Sequence, residues 1–298
     1  MVELSTGAAA PRVPVSRDER LAVLRVLARD RAGLVGFAIL LVIVLAAIAG
    51  PMLSPHEPTT FSARRLAPPG GAFPFGTDEF GRDLFTRALY GARVSLEVAA
   101  VSVSLASGVG ILIGVFSGYY GRWIDGVFMR LMDVIFAFPT ILLALAVVAV
   151  LGPAIRNLEV AIAIVYVPVF ARLARAATLV VAAQPYVEAA RSIGSPDARI
   201  MRSHIAPNIL APLVVQFTIN IAYAILVESS LSYLGLGIQP PTPSWGSMLS
   251  TGKQFVETSL WPTLVPGGAI MLTVLGCNLL GDALRDAADP RLRMRRSE

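Results

Sequence analysis

Six long apolar runs constrain the fold of this chain more than any other feature. The hydrocarbon core of a bilayer is roughly 30 Å thick, and a helix needs about 20 apolar residues to cross it. We therefore predict six transmembrane helices, at residues 33–53, 95–117, 132–151, 159–181, 209–232 and 262–282. The predicted fold class is an all-α polytopic membrane protein.

Composition and charge point to the same class. The chain is 55% hydrophobic and 15% charged, with a mean hydropathy of +0.68, whereas soluble domains are about 45–50% apolar and about 25% charged. The net charge of +5 comes almost entirely from arginines that flank the apolar runs, which favours a topological role over nucleic-acid binding. A single cysteine, Cys277, excludes an internal disulfide framework. With only His56 and His204, we predict no metal site.

The distribution of positive charge predicts the orientation. If the N-terminus is cytoplasmic, 18 of the 25 Arg and Lys residues fall in segments on the cytoplasmic side. Cytoplasmic loops carry an excess of these residues. We therefore predict that both termini lie in the cytoplasm.

The N-terminal region raises two further questions. Ala47–Ala49 has the pattern of a signal-peptidase site, but about thirty residues precede the apolar run, far more than an ordinary n-region. We expect an uncleaved first helix. Ser16–Glu19 has capping-box spacing, and the leucines and arginines that follow suggest an interfacial helix. A disordered basic tail is the alternative.

Residues 185–208 predict two short helices joined by a glycine. Pro185 suits a first helical position, and Gly194 suits the left-handed conformation that closes helices. Ser195 is predicted to cap the second helix, with Asp197 near its positive end. We expect that helix to run until Pro207. Short helices depend on packing for stability, so either a docking partner or the bilayer surface is expected to support them.

The same residues resemble a known motif. Glu188–Ala190, then Gly194, then a proline-ended segment is similar to the EAA loop of ABC importer permeases, which sits in a cleft of a cytoplasmic ATPase. The final residues 204–208 read HIAPN, where peptide-type permeases often have leucine at the position of Ala206.

Three other stretches resemble the C-type permeases of peptide and nickel importers. They follow in the family's order: FGTDEFGRDL and YGARVSL (75–84, 90–96); LSYLGLG and QPPTPSWG (231–237, 239–246); GDALRD and DPRL (281–286, 289–292). The resemblance extends over about residues 20–293. The resemblance implies the type I permease fold of ABC importers, with a coupling loop at 184–208 between helices 4 and 5.

The resemblance also implies roles and partners. The residues expected to contact the ATPase are Glu188, Ala189, Ala190, Gly194, Ser195 and Asp197. The expected partners are a second permease subunit, one or two cytoplasmic ATPases, an extracytoplasmic binding protein, a peptide substrate and membrane lipid, with no nucleic acid. ATP and Mg would bind to the ATPases, so we expect no cofactor on this chain and no enzymatic activity.

Two further sets of residues are candidates for function. Ionisable residues at membrane depth are costly and default to functional sites, so Glu228, with Ser229, is a candidate for the gate or pathway; structural pairing is the alternative. Asp78, Glu79 and Trp245 are candidates for contact with the binding protein. For Trp245, anchoring at the membrane interface is the competing interpretation.

These expectations divide the chain into four parts. They are a cytoplasmic tail with an interfacial helix (1–31), a first helix with a long extracytoplasmic segment (32–94), a core permease domain (95–283) and a basic cytoplasmic tail (284–298). A nickel-complex or other small-solute importer is the alternative within the family. A secondary transporter would show internal repeats and broken helices, and a membrane enzyme would show a catalytic constellation; we find neither pattern in the sequence.

Overall fold

The described part of the chain is built from helices. The computed structural model describes residues 30–54, 56–61 and 64–288, so the predicted interfacial helix and the tail beyond residue 288 lie outside the described residues. We number the helices α1 (Arg31–Leu53), α2 (Leu84–Tyr120), α3 (Arg122–Phe136), α4 (Thr140–Leu151), α5 (Ile155–Ala182), α6 (Pro185–Ser192), α7 (Asp197–Ile200), α8 (Ala206–Tyr233), α9 (Trp245–Gly252) and α10 (Trp261–Ala288). Five spans are long and apolar enough to cross a membrane, and a bent pair supplies a sixth if it counts as one crossing. The all-α polytopic class is confirmed.

Helix α2 begins eleven residues before the predicted span, which started at residue 95. Asp83 caps it by accepting hydrogen bonds from the backbone N–H groups of Phe85 and Thr86, as N-cap aspartates do. Charge at Arg87 and Arg93 made this first part resemble a loop in the sequence. Arg87 is in fact buried at 7% exposure, and it donates to the Pro58 carbonyl at 3.0 Å. The expected boundary between residues 94 and 95 therefore falls inside a helix.

The predicted third span is broken rather than straight. Helix α3 ends at Phe136, α4 begins at Thr140, and their axes differ by 91°. Pro139 explains the break, because the residue before a proline is disfavoured in the α conformation and proline has no N–H to donate. With 12 residues, α4 is only about 18 Å long, too short to cross the core alone.

No turn occurs at Pro207, contrary to the sequence prediction. A π-helical segment, Met201–Ile205, joins α7 to α8, so that residues 197–233 form one continuous span. The backbone N–H of Ala206 donates to the Met201 carbonyl, five residues earlier. A π-segment lets a helix absorb a local mismatch, and here it precedes a proline that would otherwise clash with the preceding turn.

Close packing of α2 against α5 forms the centre of the bundle. A Cβ atom at Gly110 would lie 2.6 Å from Cβ of Phe170, and one at Gly118 would lie 2.8 Å from the Arg175 carbonyl oxygen. A Cβ at Gly114, between them, would collide with the Ala171 carbonyl oxygen. In lipid, helices associate by such backbone proximity rather than by the hydrophobic effect. The glycine repeat is therefore a packing surface.

Two ion pairs hold α3 to α5. The Arg175 Nη2 donates to Asp125 Oδ2 at 2.6 Å, and the Arg172 Nη2 donates to Asp133 Oδ1 at 2.8 Å. Ser117 of α2 also donates to Asp125. Both arginines were interpreted from the sequence as topological anchors, and the structure gives them specific carboxylate partners. The three helices thus meet at Asp125, near the end of α2.

We predict that Gly114→Leu destabilises the subunit. The added side chain has to displace the α5 backbone, and overpacking of this kind costs about 1–3 kcal/mol or more. The thermal unfolding midpoint of the subunit in detergent should fall clearly. Gly108→Leu is the matched control, because no atom lies within 4 Å of a Cβ at that glycine. Equal midpoints for the two variants would contradict the packing role of Gly114.

Candidate functional site

Residues 185–200, which we call the elbow segment, form a helix, a glycine turn and a second helix. Pro185 occupies the first turn of α6, as predicted. The helix ends in a Schellman motif: Ser195 N donates to the Ala190 carbonyl at 3.0 Å, and Gly194 N donates to the Arg191 carbonyl at 2.9 Å. Gly194 has φ of +78°, so the left-handed conformation predicted for it is confirmed.

The predicted role of Ser195 as a helix cap is wrong. The N-cap of α7 is Pro196, and no side chain caps that helix. Ser195 instead closes α6 through its backbone N–H. The reason is that the Schellman motif needs a donor two residues beyond the C-cap, and Ser195 occupies that position.

The elbow segment is fixed to the bundle by apolar side chains and by one tyrosine. Val187 and Ile200 are fully buried. Tyr119, near the end of α2, donates its hydroxyl to Asp197 Oδ1 at 2.7 Å. The guanidinium of Arg191 lies over the Tyr119 ring, 4.8 Å from its centroid. Tyr119 therefore contacts both short helices, and nothing in the local sequence indicated this because 78 residues separate it from Asp197.

The outer face of the elbow segment is open. Of the six predicted ATPase contacts, Glu188, Ala189, Gly194 and Asp197 are exposed, Ser195 is half-buried and Ala190 is buried. Ala190 thus faces the bundle. Ile193, which the sequence reasoning did not select, is 82% exposed. An exposed large apolar side chain on this face suits a protein contact.

Glu228 lies in a packed polar cluster that joins three helices. It is fully buried, and its carboxylate accepts hydrogen bonds from Ser95 at 3.1 Å and Ser232 at 2.8 Å. Ser95 also accepts a bond from the backbone N–H of Trp245 at 3.3 Å. The cluster therefore connects α2, α8 and α9.

This burial changes the interpretation of the predicted gate residues. Glu228 and Ser229 are buried at 0% and 7% exposure, and Ser229 Oγ donates to the Glu228 carboxylate at 3.4 Å, so the polar groups of both residues are paired within the subunit. The structural alternative fits the geometry better, but the partners are serine hydroxyls instead of a cation. Buried carboxylates need such hydrogen bonds to offset their desolvation.

Trp245 is also internal. It is 2% exposed, and its indole Nε1 donates to the Ala88 carbonyl at 3.1 Å. Gly91 leaves room for the ring, since a Cβ there would lie 3.2 Å from the indole. In this structure the side chain is not available to a binding protein, and α9 is held against α2 instead.

The segment before α2 folds into a compact cap. Asp78 is 3% exposed and accepts from Arg82 Nε at 2.6 Å, with Arg87 Nε at 3.4 Å. Glu79 is half-buried and pairs with Arg82 at 3.3 Å; burial raises the pKa of Glu79 in spite of the two arginines. Asp78 is therefore an internal ion-pair residue, contrary to its predicted external contact, and Glu79 is only partly accessible.

A metal centre is not evident in residues 30–54, 56–61 and 64–288. No three His, Cys, Asp or Glu side chains among these residues are grouped closely enough to hold a metal ion. Cys277 is a free, buried thiol.

Comparisons with known proteins agree on one family. Residues 110–294 match the family described as binding-protein-dependent transport system inner membrane component, and residues 21–69 match the N-terminal TM domain of oligopeptide transport permease C. Two relatives are the dipeptide transport system permease protein DppC of Alkalihalophilus pseudofirmus and the di/tripeptide transport system permease protein DppC of Pseudomonas aeruginosa. The first is 44% identical over 95% of both chains. The second is 43% identical over 89% of this chain and 90% of the relative.

A solved structure supports the fold independently. A chain from the inward-facing MetNI methionine ABC transporter superposes with a TM-score of 0.56, at 18% identity, covering 68% of this chain and 97% of its own length. At that identity the likeness concerns the fold alone. The family match over residues 110–294 and the near full-length relatives show that this protein belongs to the binding-protein-dependent transport system inner membrane components, the permease subunits of ABC importers.

Proposed function

We propose that this subunit forms half of the translocation pathway of an ATP-driven importer of dipeptides or oligopeptides. The observation that supports it most strongly is near full-length similarity, at 43–44% identity, to two permeases named for dipeptide and di/tripeptide transport. Nickel complexes and other small solutes are the alternative, and neither name favours them. The second half of the pathway would come from another permease subunit.

In this proposal the elbow segment transmits force from the ATPases. Its exposed face belongs to two short helices. These helices are fixed to the bundle by the buried side chains of Val187 and Ile200 and by the hydrogen bond from Tyr119 of α2 to Asp197. A partner that displaces this face would therefore also exert force on the end of α2. ATP and Mg would bind to the partner subunits, so this chain would have no catalytic centre of its own.

The proposed orientation places the elbow segment in the cytoplasm and the cap before α2 on the other side of a bacterial inner membrane. The supporting observation is the excess of arginine in the segments that this orientation makes cytoplasmic. An extracytoplasmic binding protein would deliver peptide on the side of the cap, where Phe61 and Phe80 are exposed at 69% and 48%.

We expect ATP-dependent uptake of labelled dipeptide by the assembled complex in proteoliposomes. Uptake should require ATP on the ATPase side and the binding protein on the other. It should persist when ionophores collapse all ion gradients, because ATP supplies the energy. Uptake that follows an ion gradient without ATP would identify a secondary transporter and contradict the proposal. Uptake of nickel complexes but not of peptides would contradict the proposed substrate class.

We predict that Gly194→Val uncouples ATP hydrolysis from transport. The position has φ of +78° with no atom within 4 Å of an added Cβ, so the effect comes from the backbone, at roughly 1–2 kcal/mol. Gly194→Asn is the matched control, since asparagine tolerates the left-handed conformation. Uptake per ATP hydrolysed should fall in the valine variant and be largely kept in the asparagine variant. Normal coupling in Gly194→Val would show that the turn is not needed.

Tyr119 allows a graded test of the link between α2 and the elbow segment. Tyr119→Phe removes the hydroxyl bond to Asp197, worth about 1 kcal/mol, and keeps the ring under Arg191. Tyr119→Leu removes both contacts. Stimulation of ATPase activity by peptide-loaded binding protein should therefore decrease from wild type to phenylalanine to leucine. Wild-type stimulation in both variants would remove Tyr119 from the pathway of coupling.

A further inference from the structure

A cavity whose surface is mostly apolar, but which is lined by several polar side chains, lies between α4, α5 and α8. Its volume is about 440 Å³. Six of its ten lining residues have polar side chains: Thr140, Tyr166, Gln216, Asn220, Tyr223 and Ser230. None of the ten is charged. The walls therefore offer hydrogen bonds without selecting for charge.

Asn220 is the unusual residue of this cavity. It is 1% exposed, and its Nδ2 has no hydrogen-bond partner. Its Oδ1 accepts a bond from Gln216 Nε2 at 3.1 Å. A buried donor without a partner costs about 1–3 kcal/mol, and such groups in a native structure require an explanation. If the amide is rotated by 180°, an unpaired acceptor replaces the unpaired donor, so half of this amide is free in either case.

The position of Asn220 along α8 is too deep for its Nδ2 to pair with a polar group at the bilayer surface. The residue is near the middle of α8, about 20 Å from either end, where lipid offers hydrocarbon alone. The break between α3 and α4 leads into Thr140, at the wall of the same cavity. Non-helical backbone is tolerated at membrane depth only where it is buried in protein or lines a water-filled cavity. A cavity that admits water or a polar solute accounts for both features.

We propose that this cavity binds the backbone amide of a peptide during translocation. Asn220 Nδ2 donates to the peptide carbonyl, and the hydroxyl oxygen of Ser230 or Tyr223 accepts from the peptide N–H. A neutral wall that binds the amide recognises the group common to all peptides, so it tolerates different side chains. This inference rests on the proposed function as a peptide importer and adds the place and chemistry of contact.

Replacement of the amide by an apolar side chain of similar size tests the contact. In the complete complex in proteoliposomes, Asn220→Leu should lower the maximal rate of dipeptide uptake about three- to tenfold, with subunit assembly and thermal midpoint unchanged. Thr178→Val is the matched control: Thr178 is fully buried with an unpaired hydroxyl but does not line the cavity. Wild-type uptake in Asn220→Leu, or equal losses in both variants, would overturn the proposal.

A substrate with a modified backbone separates this contact from a structural role. In an ester isostere of the dipeptide the carbonyl is a weaker acceptor and the N–H is missing. The wild-type complex should transport the amide faster than the ester at saturating loaded binding protein, and Asn220→Leu should reduce that ratio toward one. Since delivery by the binding protein is common to both complexes, a ratio unchanged by the substitution would exclude recognition of the amide at Asn220.

A cysteine at the cavity wall tests whether peptide or another protein chain occupies it. Ser230→Cys in a Cys277→Ala background should react with a charged, water-soluble thiol reagent added to both faces of the membrane during turnover. Addition of peptide-loaded binding protein should slow the reaction. No labelling in any state would show that the second permease or lipid fills the cavity, and would overturn the proposal even if Asn220→Leu fails to assemble. Absence of peptide uptake by the wild-type complex would instead refute the proposed function itself.

Discussion

The contact between α2 and α5 is the constraint on which the rest of this structure depends. Membrane helices have no hydrophobic effect to bring them together, so they rely on close packing and hydrogen bonds. Three glycines at four-residue spacing bring the α2 backbone against Val167–Thr178 of α5. Beside this contact, Asp125 accepts bonds from Ser117 of α2 and Arg175 of α5, which fixes α3 as well.

Helix α2 also connects the polar cluster around Glu228 with the elbow segment. Ser95, toward its beginning, bonds the buried Glu228 and the backbone of Trp245. Tyr119, near its other end, bonds Asp197 of the elbow segment. The two residues are about 36 Å apart along a helix, and both are held by several partners. A displacement of the elbow segment would therefore act on a rigid helix rather than on a loop.

Local features of the sequence predicted where the apolar spans lie, but not all of their ends and breaks. The apolar runs predicted the spans, and Gly194 predicted a left-handed turn that the structure confirms at φ of +78°. The start of α2 was missed because Arg87 looks like a loop residue until its partners, Asp78 and the Pro58 carbonyl, are known. The helix continues through Pro207 because the π-helical segment Met201–Ile205 precedes that proline. No pattern in the sequence predicted this segment.

Contacts between residues far apart in the sequence could not be predicted from the sequence. Ser95 lies 133 residues before Glu228, so the serine hydroxyls that bond the Glu228 carboxylate could not be inferred from its depth alone. The same holds for Asp78 and Trp245, whose charge and aromatic ring suggested an external contact. The structure satisfies both internally, with Arg82 and with the Ala88 carbonyl. Asn220, in contrast, is unusual only in the structure, which shows that its Nδ2 has no hydrogen-bond partner.

The central claim is that the open face of the elbow segment is the surface that meets the ATPase. The most direct measurement is photo-crosslinking of the assembled complex with benzoylphenylalanine in place of Ile193, which is 82% exposed. The same label in place of Val150, 85% exposed at the end of α4, is the control. The account predicts an adduct between this subunit and the ATPase from position 193 and none from position 150. An ATPase adduct from position 150 alone, or no ATPase adduct from position 193, would contradict it.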